Sequence, residues 1–343
     1  MLATLRRELP RGDYLYEPKW DGFRCLAFRE RERVDLRSRH DRPLARYFPE
    51  VAEALRQLPE ERLVLDGELV VVGEGSFDFA ALMNRLHPAA SRVERLSAET
   101  PAALLCFDLL AAGDDDLRAR PFAARREELA SCVQRDSEAL RLSAGTDDPD
   151  RAERWLRGYA GGGIDGVVAK PRSLPYLEGA RAMTKVKLER TAECVVAGLR
   201  LFVDRPELSS LLLGLYDDSG RLQHTGVVTS FKRAQRRELL DELRALVVRL
   251  DDHPWKHGFL TRGAPMGRLA GAAGRWSPDE MELDWVPLDP RRVCEVAFDQ
   301  VDAGRFRHPA RFRRWRLDRD PRSCALEQLE VDAPSPVAAL SPL

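Results

Sequence analysis

The sequence predicts an α+β protein in two parts, an antiparallel-sheet domain over residues 1–190 and a small β-barrel over residues 191–330. Three observations carry this expectation. In the first 190 residues, strand-like and helix-like segments follow one another without the regular βαβ order of a parallel sheet. Beyond residue 190 the texture becomes short strands with one helix among them. The length of 343 residues suits two domains, at roughly 100–200 residues each.

Taken in order, YLYEPKWDGFRCLAFRE (14–30) alternates apolar and polar residues on both sides of a Pro and a Gly. It reads as two strand segments with Lys19 at the break between them. VDLRSR (34–39) is the next strand, and ARYFPEVAEALRQL (45–58) spaces Phe48, Val51, Leu55 and Leu58 as a helix with Pro49 in its first turn. LVLDGELVVV (63–72) is a strand with a polar interruption, DGE, at its centre. ALLCFDLL (103–110) and GVVAK (166–170) are further strands, separated by Arg- and Glu-rich helical segments. In the second part, ECVVAGLRLFV (193–203), SLLLGLYDD (210–218) and GRLQHTGVVTSF (220–231) are strands, the last two joined by a DDSG turn. A helix over 232–250 and a strand over 285–301 complete a pattern that fits an OB-fold barrel, with a sandwich left open by pattern alone. The Pro-rich tail, 331–343, is expected to be disordered.

Composition narrows the function classes. Hydrophobic residues make up 44% and charged residues 32%, as in soluble globular proteins. No apolar run approaches the roughly 18–20 residues of a membrane helix, and MLATLRRELPRGDY has no apolar stretch after its arginines. A cytoplasmic protein without membrane attachment is expected. The six cysteines are scattered with no CxxC pair, which argues against a disulfide framework or a zinc site. His253 and His257 are separated by Pro254, which breaks the helical face a metal would need. The net charge of −1 gives no bulk signal for nucleic acid. Lysine is informative because it is scarce: of 55 basic residues, only Lys19, Lys170, Lys185, Lys187, Lys232 and Lys256 are lysines. An amine can lose its proton and act as a nucleophile, whereas a guanidinium does not.

The stretch EPKWDGFR (17–24) places such a lysine two residues before Asp-Gly. KxDG alone is short and recurs by chance, but five more segments follow in order: DGE (66–68), FD (107–108), DGVVAK (165–170), KVK (185–187) and RHPARFRRWRLDRDP (307–321). Together they resemble the signature motifs of covalent nucleotidyltransferases, specifically ATP-dependent DNA ligases, from about residue 14 to about residue 325. TAECVVAG and RFRHPARFRRWRLDRDPRSC look most like bacterial ligase C, with the ligase module of ligase D next nearest.

The resemblance implies an adenylation domain followed by an OB-fold. It implies Lys19 as the nucleophile that takes AMP from ATP, with its pKa depressed by nearby cations and a metal. It implies Glu17 at the adenine, Arg24 and Arg39 on the ribose and phosphate side, Glu68 at the ribose or a metal, and Phe107 stacked on the base. Arg181, Lys185 and Lys187 match the phosphate-gripping set, and Arg316, Asp318 and Arg319 match the last motif, which orients pyrophosphate during adenylation. Mg²⁺ or Mn²⁺ would be held by Glu68 and Asp165. Two positions depart from the family pattern: Asp165 stands where Glu is usual, and Met183 where many ligases carry Trp. The segment 305–322 holds eight arginines interleaved with Phe306, Phe312 and Trp315, which fits phosphate binding.

The implied partner is nicked or broken duplex DNA, held by a monomer, with a DNA-end-binding repair protein as a further partner. In that picture the barrel swings over the site and away again, pivoting near Glu189–Ala192. Two other functions share part of the pattern. An RNA ligase or capping-type nucleotidyltransferase uses the same KxDG logic, and a non-catalytic OB-fold binder would keep the barrel without the chemistry.

Overall fold

The structure, a computed structural model, describes residues 1–73, 76–133, 137–158, 163–256, 285–302 and 304–330. The tail 331–343 and His257 lie outside the described residues. The chain forms two compact units that meet at Leu188/Glu189.

The first unit is built on two sheets. One has the strand order Leu2–Arg6, Arg181–Val186, Ile164–Pro171, Tyr14–Trp20, with only the first pair parallel. The other runs Arg33–Ser38, Phe23–Glu30, Arg62–Gly73, Ala102–Ala112 and Asp115–Asp116, all antiparallel. Leu140–Leu142 adds in parallel to Ala102–Ala112. The helix Pro49–Arg56 starts on its proline and buries Val51, Ala52, Ala54 and Leu55. It packs into a core of Leu36, Phe48, Leu65, Leu69, Leu104 and Leu129. The residues expected before it, 45–47, form a separate 3₁₀ turn.

Two irregularities in these sheets position the site. Between Arg62–Gly73 and Ala102–Ala112 the register shifts at Asp66/Gly67, so that Asp66 faces Asp108, Gly67 faces Cys106, and Phe107 is the extra residue. Between Ile164–Pro171 and Tyr14–Trp20, Ile164 faces Trp20 and Val167 faces Pro18, which leaves Asp165 and Gly166 opposite Lys19. Such bulges re-aim a side chain out of the normal alternation. Gly166 has φ +144, and a Cβ there would stand 2.2 Å from the Val186 carbonyl oxygen, so only glycine fits this bulge.

The second unit is a barrel. Its sheet has the order Leu222–Val228, Leu208–Tyr216, Arg190–Leu201, Val286–Phe298, Arg311–Trp315. A parallel bridge between Val228 and Ala310, with the Ala310 amide donating to the Val227 carbonyl at 2.8 Å, joins the two outer strands. That closure makes a five-stranded Greek-key barrel of the OB type. Its interior is filled by residues such as Val195, Leu211, Leu213, Trp255, Phe298 and Phe306.

The helix expected over 232–250 stops early. It spans Arg233–Leu243, and a 3₁₀ turn follows over Arg244–Leu246. Val247 then pairs with Leu288, and the Val248 amide donates to the Pro287 carbonyl at 3.1 Å. Strand pairing thus captures a β-branched pair that sequence periodicity assigns to the helix.

Residues 190–192, expected as a pivot, are already paired with Val296–Phe298, and Glu189 forms ion pairs with Arg311 and Arg313 of the barrel. Lys187 is held by Asp165. Leu188 is therefore the residue left between the two sets of contacts. All six thiols are free, and five are buried, as expected of structural cysteines. His253 is buried against the Ala197 and Leu288 carbonyls. Among the described residues, no helix is long and apolar enough to cross a membrane.

Candidate active site

The two sheets of the first unit line one cleft of about 290 Å³. Period-two alternation explains which side chains reach it. Glu17 and Lys19 come from one strand, Val168 and Lys170 from its neighbour, and Arg181, Met183 and Lys185 from the next. Val168 faces Glu17 on one side and Lys185 on the other, which aligns the three strands across the floor. The second sheet contributes Arg24, Asp66 and Glu68, with Arg24 directly opposite Glu68. The bulge lets consecutive residues, Phe107 and Asp108, both line the cleft. Arg39, one residue beyond its strand, lines the rim and is exposed.

Lys19 is the penultimate residue of Tyr14–Trp20, so the strand break falls after it, at Asp21–Gly22. Gly22 is required by close approach, because a Cβ there would meet the Leu69 carbonyl oxygen at 2.1 Å. The Lys19 ammonium donates to Asp165 at 2.5 Å, and Lys187 pairs with the same carboxylate oxygen at 2.6 Å. Burial by itself would lower the Lys19 pKa. The charge and hydrogen bond of Asp165, helped by Glu68 and Asp21, outweigh burial and raise it above the ordinary lysine value. The expectation that cations depress this pKa is therefore corrected among the protein's own groups, where the Asp165 carboxylate dominates. Lys185 is the lysine whose pKa is lowered, by burial and then by Lys187 and Lys19. That marks a cationic cluster awaiting negative charge.

Glu17 lies at the bottom of the cleft, 2% exposed. Its Oε2 pairs with Lys170 at 2.6 Å, and its Oε1 lies 3.2 Å from Arg126. Oε1 nevertheless has no partner in hydrogen-bond geometry, so this buried acceptor is open to a donor on a ligand. Lys170 also stands 4.5 Å from the centre of the Phe107 ring, fixing the aromatic beside the carboxylate. Lys170 and Arg126 were not singled out from sequence. The scarcity of lysine and the position of Lys170 at the end of DGVVAK were the available signals for the first; Arg126 had none.

Arg24 is locked rather than free. Its Nε and NH2 donate to the two Asp66 oxygens at 3.0 and 2.7 Å, and NH1 donates to the Met1 carbonyl at 2.6 Å. The Tyr176 hydroxyl donates to the same Asp66 at 3.0 Å. Tyr176 is thus a further site residue that the motifs leave out, and Asp66, the first residue of DGE, gains a role that the motif reading gave only to Glu68.

Glu68 is pushed up to about 8, first by burial and then by Asp66 and Asp21, with Lys19 and Arg24 opposing. A carboxyl raised in the folded state favours folding below its ordinary value of about 4.3, and that advantage is lost as pH rises through about 8. Glu68→Gln should therefore gain thermal stability relative to wild type as pH goes from 5 to 9. A melting-temperature difference that stays flat over that range would refute the buried-carboxyl account.

Glu68 and Asp165 both act electrostatically on Lys19, and as hard oxygen donors they fit Mg²⁺ or Mn²⁺. Among the described residues no cluster of three or more His, Cys, Asp or Glu could hold a metal.

The last motif lies in the barrel. Arg316 donates to both oxygens of Asp318 at 3.0 and 2.8 Å, and these bonds hold Asp318 at about 2. Arg316 and Arg319 both pair with Glu193.

Comparison with known proteins shows the family. A family model described as ATP dependent DNA ligase domain matches residues 2–187, and one described as ATP dependent DNA ligase C terminal region matches residues 204–319. DNA ligase C2 of Mycolicibacterium smegmatis is 48% identical over 333 residues, covering 96% of this chain and 93% of the relative. DNA ligase C of Mycobacterium tuberculosis is 46% identical over 335 residues, with the same coverage. A solved structure described as "DNA binding with a minimal scaffold: Structure-function analysis of Lig E DNA ligases" shares the fold. It has a TM-score of 0.54 at 16% identity, covering 92% of this chain and 98% of that one. The chain belongs to the ATP-dependent DNA ligases.

Proposed function

We propose that this ligase seals nicks in duplex DNA through AMP held on Lys19, with Glu17 and Phe107 receiving the adenine. The observation that carries the proposal is the single strand face bearing a buried carboxylate with an open acceptor, Glu17, and, two residues on, Lys19. An adenine amine can donate to Glu17 Oε1, and the Phe107 ring offers a platform for the base. Arg24, Arg39 and Glu68 take the ribose side, and Arg181, Lys185 and Lys187 the phosphates.

In the first step the Lys19 lone pair forms an N–P bond to the α-phosphate as the bond to the pyrophosphate oxygen breaks. Asp165, at 2.5 Å, is the nearest acceptor for the proton Lys19 gives up. A divalent cation, Mg²⁺ or Mn²⁺, held with Glu68 and Asp165 would neutralise phosphate charge. AMP then passes to the 5′-phosphate at the nick, and the 3′-hydroxyl attacks that phosphate and releases AMP. Every step is a displacement at phosphorus, in which positioning and electrostatics supply most of the rate.

The barrel's Arg316, Asp318 and Arg319 orient the pyrophosphate during the first step. The first unit acts as the adenylation domain, and the barrel grips DNA in the later steps. The protein works as a cytoplasmic monomer on nicked or broken ends, where an end-binding repair protein would recruit it.

Incubation with α-labelled ATP, then with nicked DNA, tests the reading. Label should appear on the protein and chase into sealed DNA. GTP should label on the order of 10³-fold more slowly, because guanine sets a carbonyl oxygen against the Glu17 carboxylate. Equal labelling by the two nucleotides would remove Glu17 from the base site.

A further inference from the structure

Glu193 lies at the start of the barrel's first strand, Arg190–Leu201, and belongs to none of the six motifs. Its side chain is mostly covered, at 17% exposure. One carboxylate oxygen pairs with Arg316 NH1, and the other pairs with Arg319 Nε at 2.7 Å. The backbone around it is clamped as well. The Glu193 amide donates to Gln328 Oε1 at 3.0 Å, and Gln328 Nε2 donates to the Glu193 carbonyl at 3.2 Å. Gln328 sits in the 3₁₀ turn Leu326–Leu329, which is anchored by buried Leu329.

The way the two arginines are held matters more than the fact that they are held. Glu193 meets Arg319 at Nε, on the inner edge of the guanidinium. Arg316 uses Nε and NH2 for Asp318 and NH1 for Glu193, and each terminal nitrogen keeps one hydrogen beyond those bonds. A carboxylate bound along the inner edge fixes the plane of a guanidinium and aims its remaining donors outward. Without it, two long side chains would sample many rotamers, each lost again on meeting an anion.

We infer that Glu193, pinned by Gln328, is a positioning residue for the adenylation step: it sets Arg316 and Arg319 to receive the pyrophosphate of ATP. This rests on the reading of Arg316 and Arg319 given above.

The test compares two reactions of the full chain. One is the rate of protein–AMP formation at saturating ATP. The other is sealing, without ATP, of a nick that already carries AMP on its 5′-phosphate. Glu193→Gln should slow the first by roughly ten- to a hundredfold, the cost of misplaced reacting groups, and change the second by less than about twofold. Glu193→Asp, which keeps the charge one methylene short, should recover part of the rate. Equal loss in both reactions would assign Glu193 a merely structural role and overturn the inference. A Glu193→Gln variant that adenylates at or above the wild-type rate would also overturn it. Arg316→Ala and Arg319→Ala separate this from the underlying reading. If they fail to adenylate while Glu193→Gln succeeds, only the inference falls; if they adenylate normally, the pyrophosphate reading falls and takes it along.

Discussion

Lys19→Arg should fold, keep its ion pair with Asp165, and take no label from α-labelled ATP, a loss of at least about 10³-fold in the first step. Arginine preserves the positive charge that the Asp165 carboxylate holds at 2.5 Å from Lys19. It cannot present a free amine, since the guanidinium stays protonated at any pH the protein survives. Sealing of a nick that already carries AMP needs no lysyl intermediate, so it should persist within about tenfold of wild type. The experiment also arbitrates between two lysines. Charge alone would nominate Lys185, whose pKa is lowered, over Lys19, whose pKa is raised. Position nominates Lys19, because it lies beside Glu17 on one strand face and opposite the Asp165–Gly166 bulge. Label persisting in Lys19→Arg but lost in Lys185→Arg would reverse the assignment.

The raised Lys19 pKa gives this chemistry a direction with pH. An amine that must shed its proton reacts faster as pH rises towards its pKa, and Asp165 holds that proton on. Substrate changes the balance. Phosphates entering beside Lys185 and Lys187, with a cation drawn to Glu68 and Asp165, would divert Asp165 from Lys19 and remove the main influence raising its pKa. Asp165 is one methylene shorter than the glutamate usual in the family. The bulge at Asp165–Gly166, possible only with glycine at φ +144, sets that shorter side chain directly opposite Lys19.

What the sequence disclosed and what it hid divide along a physical line. Lys19, Glu17, Arg24, Glu68, Phe107 and Lys185 all line one cleft, and each belongs to a short contiguous motif. Local patterns of that kind survive in one dimension. Lys187 and Asp165 are drawn together beside Lys19, which is likewise a motif-to-motif contact. Arg126 and Tyr176 lie outside every motif, and Asp66 lies inside DGE without an evident role, because what these residues do exists only through partners far away in the chain. Arg126 reaches Glu17 from a helix, and Tyr176 reaches Asp66 from a loop. The bulge at Phe107 was visible only as a polar interruption, since a register shift is a property of two strands and not of one. The helix over 232–250 was misjudged for the same reason: Val247 and Val248 find a strand to pair with, and pairing wins over periodicity.

The buried pair of Glu17 and Lys170 yields the largest expected effect on stability. Their side chains are 3% and 5% exposed, so removing one partner strands a charge away from water. Lys170→Met should cost about 3–5 kcal/mol and lower the melting temperature of the first unit by roughly 6–20 °C. Glu17→Leu should be similarly costly, because Lys170 and Arg126 would then face each other without a carboxylate. The double variant Glu17→Leu, Lys170→Met replaces both charges with apolar groups and should recover most of the lost stability, as buried ion pairs often can be replaced. It should nonetheless fail to take AMP from ATP. The pair is therefore a poor device for stability and a good one for recognition: Lys170 neutralises one oxygen of Glu17, and the other is left without a hydrogen-bond partner at the floor of the cleft. A double variant that is stable and still labels would show that base recognition does not pass through Glu17. A Lys170→Met variant that melts with wild type would show that the carboxylate relaxes towards Arg126 or solvent at little cost.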